Sequence, residues 1–206
     1  MVVIIDYKVG NITSIQKMLK KVGCVDAIIS GNLEDIKKAT KLILPGVGHF
    51  DYGMKQLKAS GLIAILNKRV LIDKVPVLGI CLGAQLLTRG SEEGEEKGLG
   101  WIDADTVKFD KIKLGVHLKI PNMGWSDVKY KQEAPLFANM SIASRFYFVH
   151  SYHIKCDFNC DSAITTEYGY EFTAGVIKDN IMGMQFHPEK SHKFGMQLLS
   201  NFIKNY

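Results

Sequence analysis

The sequence predicts an α/β fold in which a mostly parallel sheet is flanked by helices. Short apolar runs alternate with amphipathic stretches through the first half of the 206-residue chain. Such alternation is typical of parallel strands joined by crossover helices. Several runs, beginning with Val2–Ile5, are wholly apolar, which indicates buried strands. The second half has short alternating runs separated by turn residues, so antiparallel additions to the sheet are expected there.

The first half is predicted to alternate strand and helix in chain order. Strands are expected at Val2–Ile5, 27–29, 42–44 and 75–80. Helices are expected at 12–22, 32–39, 50–70 with a break at Gly61, and 82–88. Asn32 can cap the second helix, because Glu34 and Asp35 then fall in its first turn. These elements together predict a doubly wound sheet.

The second half is predicted to extend this sheet. Glycine and glutamate dominate residues 90–100, which indicates a surface loop rather than a domain boundary. Strands are expected at 106–109, 126–130, 145–149, 175–177 and 181–186, and a closing amphipathic helix at 193–204. The chain has no internal repeat, and its 47% hydrophobic residues suffice for a full core. A single domain over residues 1–206 is therefore expected.

Composition argues against several function classes. The net charge is +5, but basic residues are interleaved with acidic ones and no RNA-binding signature accompanies them, so nucleic acid is not an expected partner. The first residues lack the features of a signal peptide or a membrane span. Cys156 and Cys160 have no further Cys or His at ligand spacing, so neither a metal nor a cofactor is expected. The four cysteines show no disulfide framework, and a cytoplasmic location is expected.

Cys81 is the expected nucleophile. It lies in Gly79-Ile80-Cys81-Leu82-Gly83, between a predicted strand and a predicted helix. A nucleophile at such a tight turn has strained backbone angles and close neighbours, and flanking glycines leave room for both. The N-terminal end of the following helix points its dipole at the sulfur, and we expect this to favour the thiolate.

The other parts of a thiol-dependent amide hydrolase are also present in the sequence. His187 can act as the base that later protonates the leaving ammonia, and Glu189 can orient its imidazole. The oxyanion of the tetrahedral intermediate needs donors, and the amide of Leu82 is one candidate. The glycine-rich turn Pro45-Gly46-Val47-Gly48 follows a predicted strand and offers the amides of Val47 and Gly48 as others.

These residues and several further motifs resemble class I (triad) glutamine amidotransferases over nearly the whole chain. Within that family, the sequence is similar to the glutaminase subunits of imidazole glycerol phosphate synthase. The segment Gly79-Ile80-Cys81-Leu82-Gly83, here called the elbow, and the segment His187-Pro188-Glu189 are shared by many triad amidotransferases. The narrower resemblance depends on the motifs Ile5-Asp6-Tyr7, Gly10-Asn11, Ser91-Glu92-Glu93-Gly94, Gly98-Leu99-Gly100, Met123-Gly124-Trp125, Tyr147-Phe148-Val149-His150-Ser151-Tyr152 and Gln185-Phe186-His187-Pro188-Glu189-Lys190-Ser191.

The resemblance implies a flavodoxin-like fold and a division of labour between two chains. This chain would hydrolyse glutamine to glutamate and ammonia. A cyclase subunit of (β/α)8-barrel fold would form a heterodimer with it, receive the ammonia through a tunnel, and use it in histidine biosynthesis. The resemblance implies glutamine-binding roles for Gln85, Glu93, His150, Ser151 and Tyr152. It places Asn11, Met123, Trp125, Tyr147 and Lys190 at or near the partner interface.

Single residues also allow simpler interpretations. Gln85 is compatible with an exposed helix position, and Glu93 with a solvated loop. Trp125 and Tyr147 are compatible with core aromatics. An independent cysteine hydrolase would use a similar elbow without a partner, but it gives Gln85 and the partner-side motifs no role.

Three positions depart from the pattern of these synthase subunits. Lys8 replaces a usual glycine, Asn122 stands where histidine is common, and Ser126 stands where asparagine follows the Met-Gly-Trp motif. Two of the three fall in the segment that would face the partner. The alternative function is therefore a paralogous glutaminase that supplies ammonia to a sugar amidotransferase of surface polysaccharide synthesis.

Overall fold

The computed structural model describes residues 1–131, 133–158 and 161–206. Within these ranges one sheet contains eleven strands. They are β1 (Val2–Ile5), β2 (Ile28–Ser30), β3 (Lys41–Leu44), β4 (Val77–Ile80), β5 (Ala104–Lys108), β6 (Asn122–Tyr130), β7 (Arg145–His150), β8 (Tyr152–Cys156), β9 (Ser162–Tyr168), β10 (Tyr170–Lys178) and β11 (Ile181–Met184). The helices are α1 (Ile12–Lys21), α2 (Leu33–Lys38), α3 (Phe50–Ala59), α4 (Ile63–Asn67), α5 (Leu82–Leu86), α6 (Lys111–Leu114) and α7 (His192–Asn205). In the described ranges, no helix combines the length and the apolar character that crossing a membrane requires.

The sheet has a parallel half and an antiparallel half. The parallel strands lie in the order β2-β1-β3-β4-β11, as in flavodoxin-like sheets, where β11 takes the fifth place. Beyond β11 the sheet continues through β10, β9, β6 and β7, all in antiparallel pairs. Strand β8 pairs with both β10 and β5. The predicted parallel core and antiparallel second half are both confirmed.

The core lies on both faces of the parallel strands. Alternate residues of a strand point to opposite faces, so Val3 and Ile5 belong to one apolar cluster and Val2 and Ile4 to the other. Helices α2, α3 and α4 cover the first face. Helices α1 and α7 cover the second face, where Phe202 is fully buried. Because β1, β4 and β11 are buried on both sides, their sequences contain only apolar residues and glycine.

Several element bounds differ from the predictions. The predicted helix over 50–70 is divided into α3 and α4, which are followed by a π-helical turn at Lys68–Ile72. The predicted last core strand ends at Met184 rather than at residue 186. Helix α6 and strands β8 and β9 were not predicted, and β10 extends well beyond the predicted 175–177. Strand β9 contains polar residues on a half-buried surface, so its sequence lacks a strong apolar signal.

Candidate active site

The candidate catalytic residues meet at the carboxyl ends of two adjacent parallel strands. Cys81 directly follows β4, and its backbone N–H donates to the carbonyl of Met184 at the end of β11 (2.8 Å). His187 lies three residues after Met184, and its backbone N–H donates to the carbonyl of Tyr147 on β7 (2.9 Å). Ligands of open α/β sheets bind at this edge. The sheet topology therefore brings together residues that lie about a hundred positions apart in the sequence.

Cys81 occupies the strained turn that its sequence context predicts. Its φ is +55° and its ψ is −114°, in a region that side-chain-bearing residues rarely adopt. A Cβ at Gly79 would lie 2.8 Å from Cα of Ala84, and a Cβ at Gly83 would collide with the carbonyl oxygen of Leu44. The two flanking glycines are therefore required because backbone segments approach closely on both sides of the nucleophile.

His187 and Glu189 form a buried pair. Nδ1 of His187 lies 2.8 Å from Oε1 of Glu189, and their side chains are 2% and 1% exposed. Burial alone would lower the pKa of His187, but interactions with the Cys81 sulfur and the Glu189 carboxylate outweigh it and raise this pKa to about 9. Nε2 of His187 makes no hydrogen bond within the described ranges, so it is available to a reacting group. The arrangement favours an imidazolium beside the sulfur at neutral pH.

A cavity of about 410 Å³ opens beside the sulfur of Cys81. Its size suits a small polar substrate. The residues that line it include all five of the predicted glutamine-binding positions, together with Cys81, Leu82 and Gly48. The full set is Gly48, His49, Cys81, Leu82, Gln85, Glu93, Pro121, Val149, His150, Ser151 and Tyr152.

The glycine-rich turn after β3 lies against the elbow helix. A Cβ at Gly46 would lie 2.6 Å from the backbone nitrogen of Gly83, so only glycine permits this approach. Gly48 has a φ of +93° and lines the cavity, whereas the Val47 side chain is 42% exposed. The hydroxyl of Tyr7 donates to the carbonyl of Pro45 (2.6 Å), which holds the start of the turn. The candidate oxyanion donors Val47, Gly48 and Leu82 thus belong to two segments in direct contact.

Gln85 and Glu93 are not the solvated surface residues that their sequence positions would also allow. Gln85 is buried, with only 5% of its surface exposed. Its Nε2 donates to the carbonyl of Tyr152 (3.2 Å) and to Oε1 of Gln185 (2.9 Å). Oε2 of Glu93 accepts from the backbone N–H of Phe50 at the start of α3 (2.7 Å). Both side chains are therefore fixed at the cavity wall.

His150 is a neutral, buried member of the cavity wall. Burial lowers its pKa to about 3, so it carries no charge at neutral pH. Its Nδ1 lies 2.7 Å from the carbonyl of Tyr152, and its Nε2 lies 3.2 Å from Nδ2 of Asn122 on the paired strand β6. Nδ1 is consequently the protonated nitrogen, and Nε2 accepts from Asn122. One imidazole thereby joins the cavity wall to β6.

Four of the five predicted interface residues lie on or next to the β6–β7 pair. Met123 is 62% exposed and Trp125 is 37% exposed. Trp125 pairs with Tyr147 across the strands, and Nζ of Lys190 lies 5.8 Å from the centre of the Tyr147 ring. Asn11 lies elsewhere, at the start of α1, which contacts the 3₁₀ turn Pro188–Lys190. Trp125 is therefore not a core residue.

Sequence reasoning missed several residues of the site. Gln185 is fully buried, and its Nε2 lies 3.9 Å from Sγ of Cys81. His49 caps α3 and also lines the cavity. Pro121 and Val149 complete the wall. The signal for Gln185 was a glutamine within the otherwise apolar predicted strand 181–186, since a buried amide needs partners.

Among the described residues, no group of three or more His, Cys, Asp or Glu side chains is placed to hold a metal ion. Cys160 of the Cys156 and Cys160 pair lies outside the described residues.

Comparison with known proteins agrees with this geometry. The model of the family "Glutamine amidotransferase class-I" matches residues 3–206. The chain is 59% identical to "Imidazole glycerol phosphate synthase subunit HisH 2" of Methanococcus maripaludis over 204 residues, with 99% of each chain covered. It is 52% identical to a protein of the same name from Pseudomonas aeruginosa, again with 99% of each covered.

Solved structures share the fold at low sequence identity. A crystal structure of a glutamine amidotransferase from Thermotoga maritima matches with a TM-score of 0.68 and 15% identity, covering 99% of this chain and 96% of that one. A glutaminase domain of a Trypanosoma brucei CTPS with bound acivicin matches with a TM-score of 0.64 and 14% identity, covering 98% and 93%. With an elbow cysteine, a buried His–Glu pair and a family match over nearly its whole length, this chain belongs to the class I glutamine amidotransferases.

Proposed function

We propose that this chain is the glutaminase subunit of an imidazole glycerol phosphate synthase. In this role it hydrolyses glutamine to glutamate and ammonia. The observation that carries the proposal is the convergence of Cys81, His187 and Glu189 beside a cavity lined by the predicted glutamine-binding residues. The full-length similarity to subunits of that name supports the same conclusion.

The reaction follows from the geometry of the triad. Sγ of Cys81 attacks the amide carbon of glutamine, and the amide oxygen becomes an oxyanion that backbone N–H groups stabilise. The His187 imidazolium donates its proton to the amide nitrogen, so the C–N bond breaks and ammonia leaves. A water molecule then attacks the γ-glutamyl thioester while His187 takes its proton, which releases glutamate and restores the sulfur. Glu189 orients the imidazole throughout.

The ammonia has to reach a second active site without mixing with water. Ammonia released into neutral water is largely protonated, and the ammonium ion is not a nucleophile. We therefore propose that a (β/α)8-barrel cyclase subunit docks on this chain as a heterodimer and receives ammonia through an internal tunnel. The exposed Met123 and Trp125 supply the apolar anchors that such an interface needs.

The interface and the triad are joined through Tyr147. Its ring packs beside Trp125, and its backbone carbonyl accepts the hydrogen bond from the backbone N–H of His187. We therefore expect docking on this face to affect the position of His187, the catalytic base. We expect weak glutaminase activity from the isolated chain and strong activation in the complex, in part through reorientation of the Gly46–Val47 or Val47–Gly48 peptide toward the oxyanion.

The proposal is tested by measuring glutamate release from the purified chain alone and with the cyclase plus its formimino ribonucleotide substrate. Imidazole glycerol phosphate is followed in the same samples. Strong stimulation with equal yields of glutamate and imidazole glycerol phosphate is expected. Equal glutamate release with and without the partner would contradict the proposed role in a synthase and favour an independent hydrolase.

A second candidate function is ammonia supply to a sugar amidotransferase of surface polysaccharide synthesis. The observations that favour it concern Lys8 and Asn122, two of the positions at which the sequence departs from the synthase subunits. Lys8 has a φ of +68°, a left-handed conformation that costs about 1–2 kcal/mol outside glycine. Asn122, where histidine is common, holds His150 directly from β6. Absence of complex formation with the cyclase, while Cys81 still reacts with a glutamine-like electrophile, would support this second function.

A further inference from the structure

Gln185 lies in a buried polar chain that ends at the nucleophile. It follows β11, and its backbone N–H donates to the carbonyl of Ala174 (2.9 Å). Its Oε1 accepts from Nε2 of Gln85 (2.9 Å), and its Nε2 lies 3.9 Å from Sγ of Cys81, within the range of hydrogen bonds to sulfur. Gln185 is fully buried, so water does not compete for these contacts.

One backbone carbonyl fixes the orientation of both side-chain amides in this series of hydrogen bonds, that of Gln85 and that of Gln185. The carbonyl of Tyr152 can only accept, so it selects Nε2 rather than Oε1 of Gln85. The same Nε2 then requires Oε1 of Gln185, because two NH2 groups cannot bond to each other. The NH2 group of Gln185 consequently points at the sulfur of Cys81.

The same polarity decides what Gln85 presents to a substrate. Both donor hydrogens of Gln85 can be used by Tyr152 and Gln185, so its Oε1 remains as the acceptor at the cavity wall. A free amino acid in the cavity carries an ammonium group and, in glutamine, an amide NH2. Gln85 is thus set to accept from one of these groups.

We propose that Gln185 is a positioning residue with two functions, both of which rest on the proposed glutaminase function. Its N–H stabilises the sulfur anion of Cys81, and its carbonyl oxygen holds Gln85 with an acceptor facing glutamine. The titratable groups that also face the sulfur are His187 and Tyr7. Among the described residues, the side chain of Gln85 donates to Tyr152 and Gln185, and neither His187 nor Tyr7 is a hydrogen-bond partner of its amide.

Two substitutions separate the two functions. Gln185→Met has a similar length but removes both the donor and the acceptor. Gln185→Glu keeps an acceptor for Gln85, but above neutral pH its carboxylate cannot donate to the sulfur and adds a like charge beside it. Asn201→Leu is the control for a lost buried amide. Among the described residues, Asn201 donates to the carbonyls of Leu136 and Ala138 and accepts from Gln197, away from the cavity.

Alkylation of Cys81 by iodoacetamide is measured against pH in the isolated chain, and KM for glutamine is measured in the complex with the cyclase. For Gln185→Met we expect alkylation about tenfold slower at pH 7 and a KM raised about tenfold. For Gln185→Glu we expect the alkylation profile to shift about one unit to higher pH while KM stays near the wild-type value. Asn201→Leu should match the wild type in both.

The outcome distinguishes failure of this inference from failure of the proposed function. Wild-type alkylation and wild-type KM in Gln185→Met would overturn the positioning role. The same changes in Asn201→Leu would also overturn it, because they would then reflect general loosening of the fold. If the wild-type Cys81 itself is alkylated no faster than Cys24, which is also buried, the glutaminase function fails instead.

Discussion

Replacement of Glu189 by glutamine is the sharpest test of the buried His187–Glu189 pair. Gln has the same shape as Glu but removes the negative charge 2.8 Å from Nδ1 of His187. The side chains are almost completely buried, so water cannot compensate for the lost charge. We expect the variant to fold and to bind glutamine, but with an imidazole whose protonated form is less strongly favoured.

The size of the effect follows from the pKa of His187. Interactions with Cys81 and Glu189 raise this pKa from 6.5 to about 9, which corresponds to about 3 kcal/mol of preference for the imidazolium. If Glu189 supplies about half, its loss destabilises the fold by about 2 kcal/mol at pH 6.5. Because the catalytic proton transfers also depend on this imidazolium, we expect kcat to fall about a hundredfold.

The effect on stability has a definite pH dependence. The folded-state pKa of His187 is raised, so the stabilisation is complete below about pH 6.5 and declines as the pH rises through about 9. Urea denaturation of the wild type and Glu189→Gln should therefore differ most at pH 6.5 and least near pH 10. Glu167→Gln, which alters an exposed carboxylate on β9, serves as the control. A variant with unchanged kcat and a stability difference independent of pH would show that Glu189 does not hold the imidazolium.

Three further predictions test the nucleophile, the elbow and the interface. Cys81→Ala should abolish glutamate release while the partner's reaction with added ammonia continues; loss of both would make Cys81 structural. Gly83→Ala should lower the free energy of unfolding by about 2–3 kcal/mol in urea, because its Cβ would collide with the Leu44 carbonyl. Gly90→Ala, whose Cβ has its nearest neighbour at 3.8 Å, should change it little. Trp125→Ala should weaken binding of the cyclase by about 2 kcal/mol in calorimetry without slowing alkylation of Cys81, whereas unchanged affinity would place the interface elsewhere.

The parallel half of the fold was predictable because its strands are buried on both faces. Runs such as Val2–Ile5 have no competing interpretation when amphipathic helices separate them. Strand β9 was not predictable in the same way, because its polar residues give no strong apolar signal and its pairing with β6 depends on a distant segment. Helix α6 has only four residues after its cap Asp110. A helix of this length is too short to show a periodic pattern in the sequence.

Some residues of the catalytic site were likewise predictable from the sequence and others were not. Cys81, His187 and Glu189 were predictable because the chemistry requires particular residue types at a recognisable elbow and a short His-Pro-Glu segment. Gln185 joins the site only through its approach to Cys81 in the folded chain, and Pro121 only through its place in the cavity wall. Their roles depend on distances and hydrogen-bond directions, which a sequence pattern does not contain.

We propose that this chain forms ammonia from glutamine at Cys81 and delivers it directly to the cyclase. The most direct measurement follows nitrogen-15 from the amide of labelled glutamine into imidazole glycerol phosphate, in the complex, with excess unlabelled ammonium in the solution. With direct transfer between the two subunits, we expect product that keeps the label almost undiluted. Product whose label is diluted to the level of the free ammonium pool, or product formed without glutamate release, would contradict it.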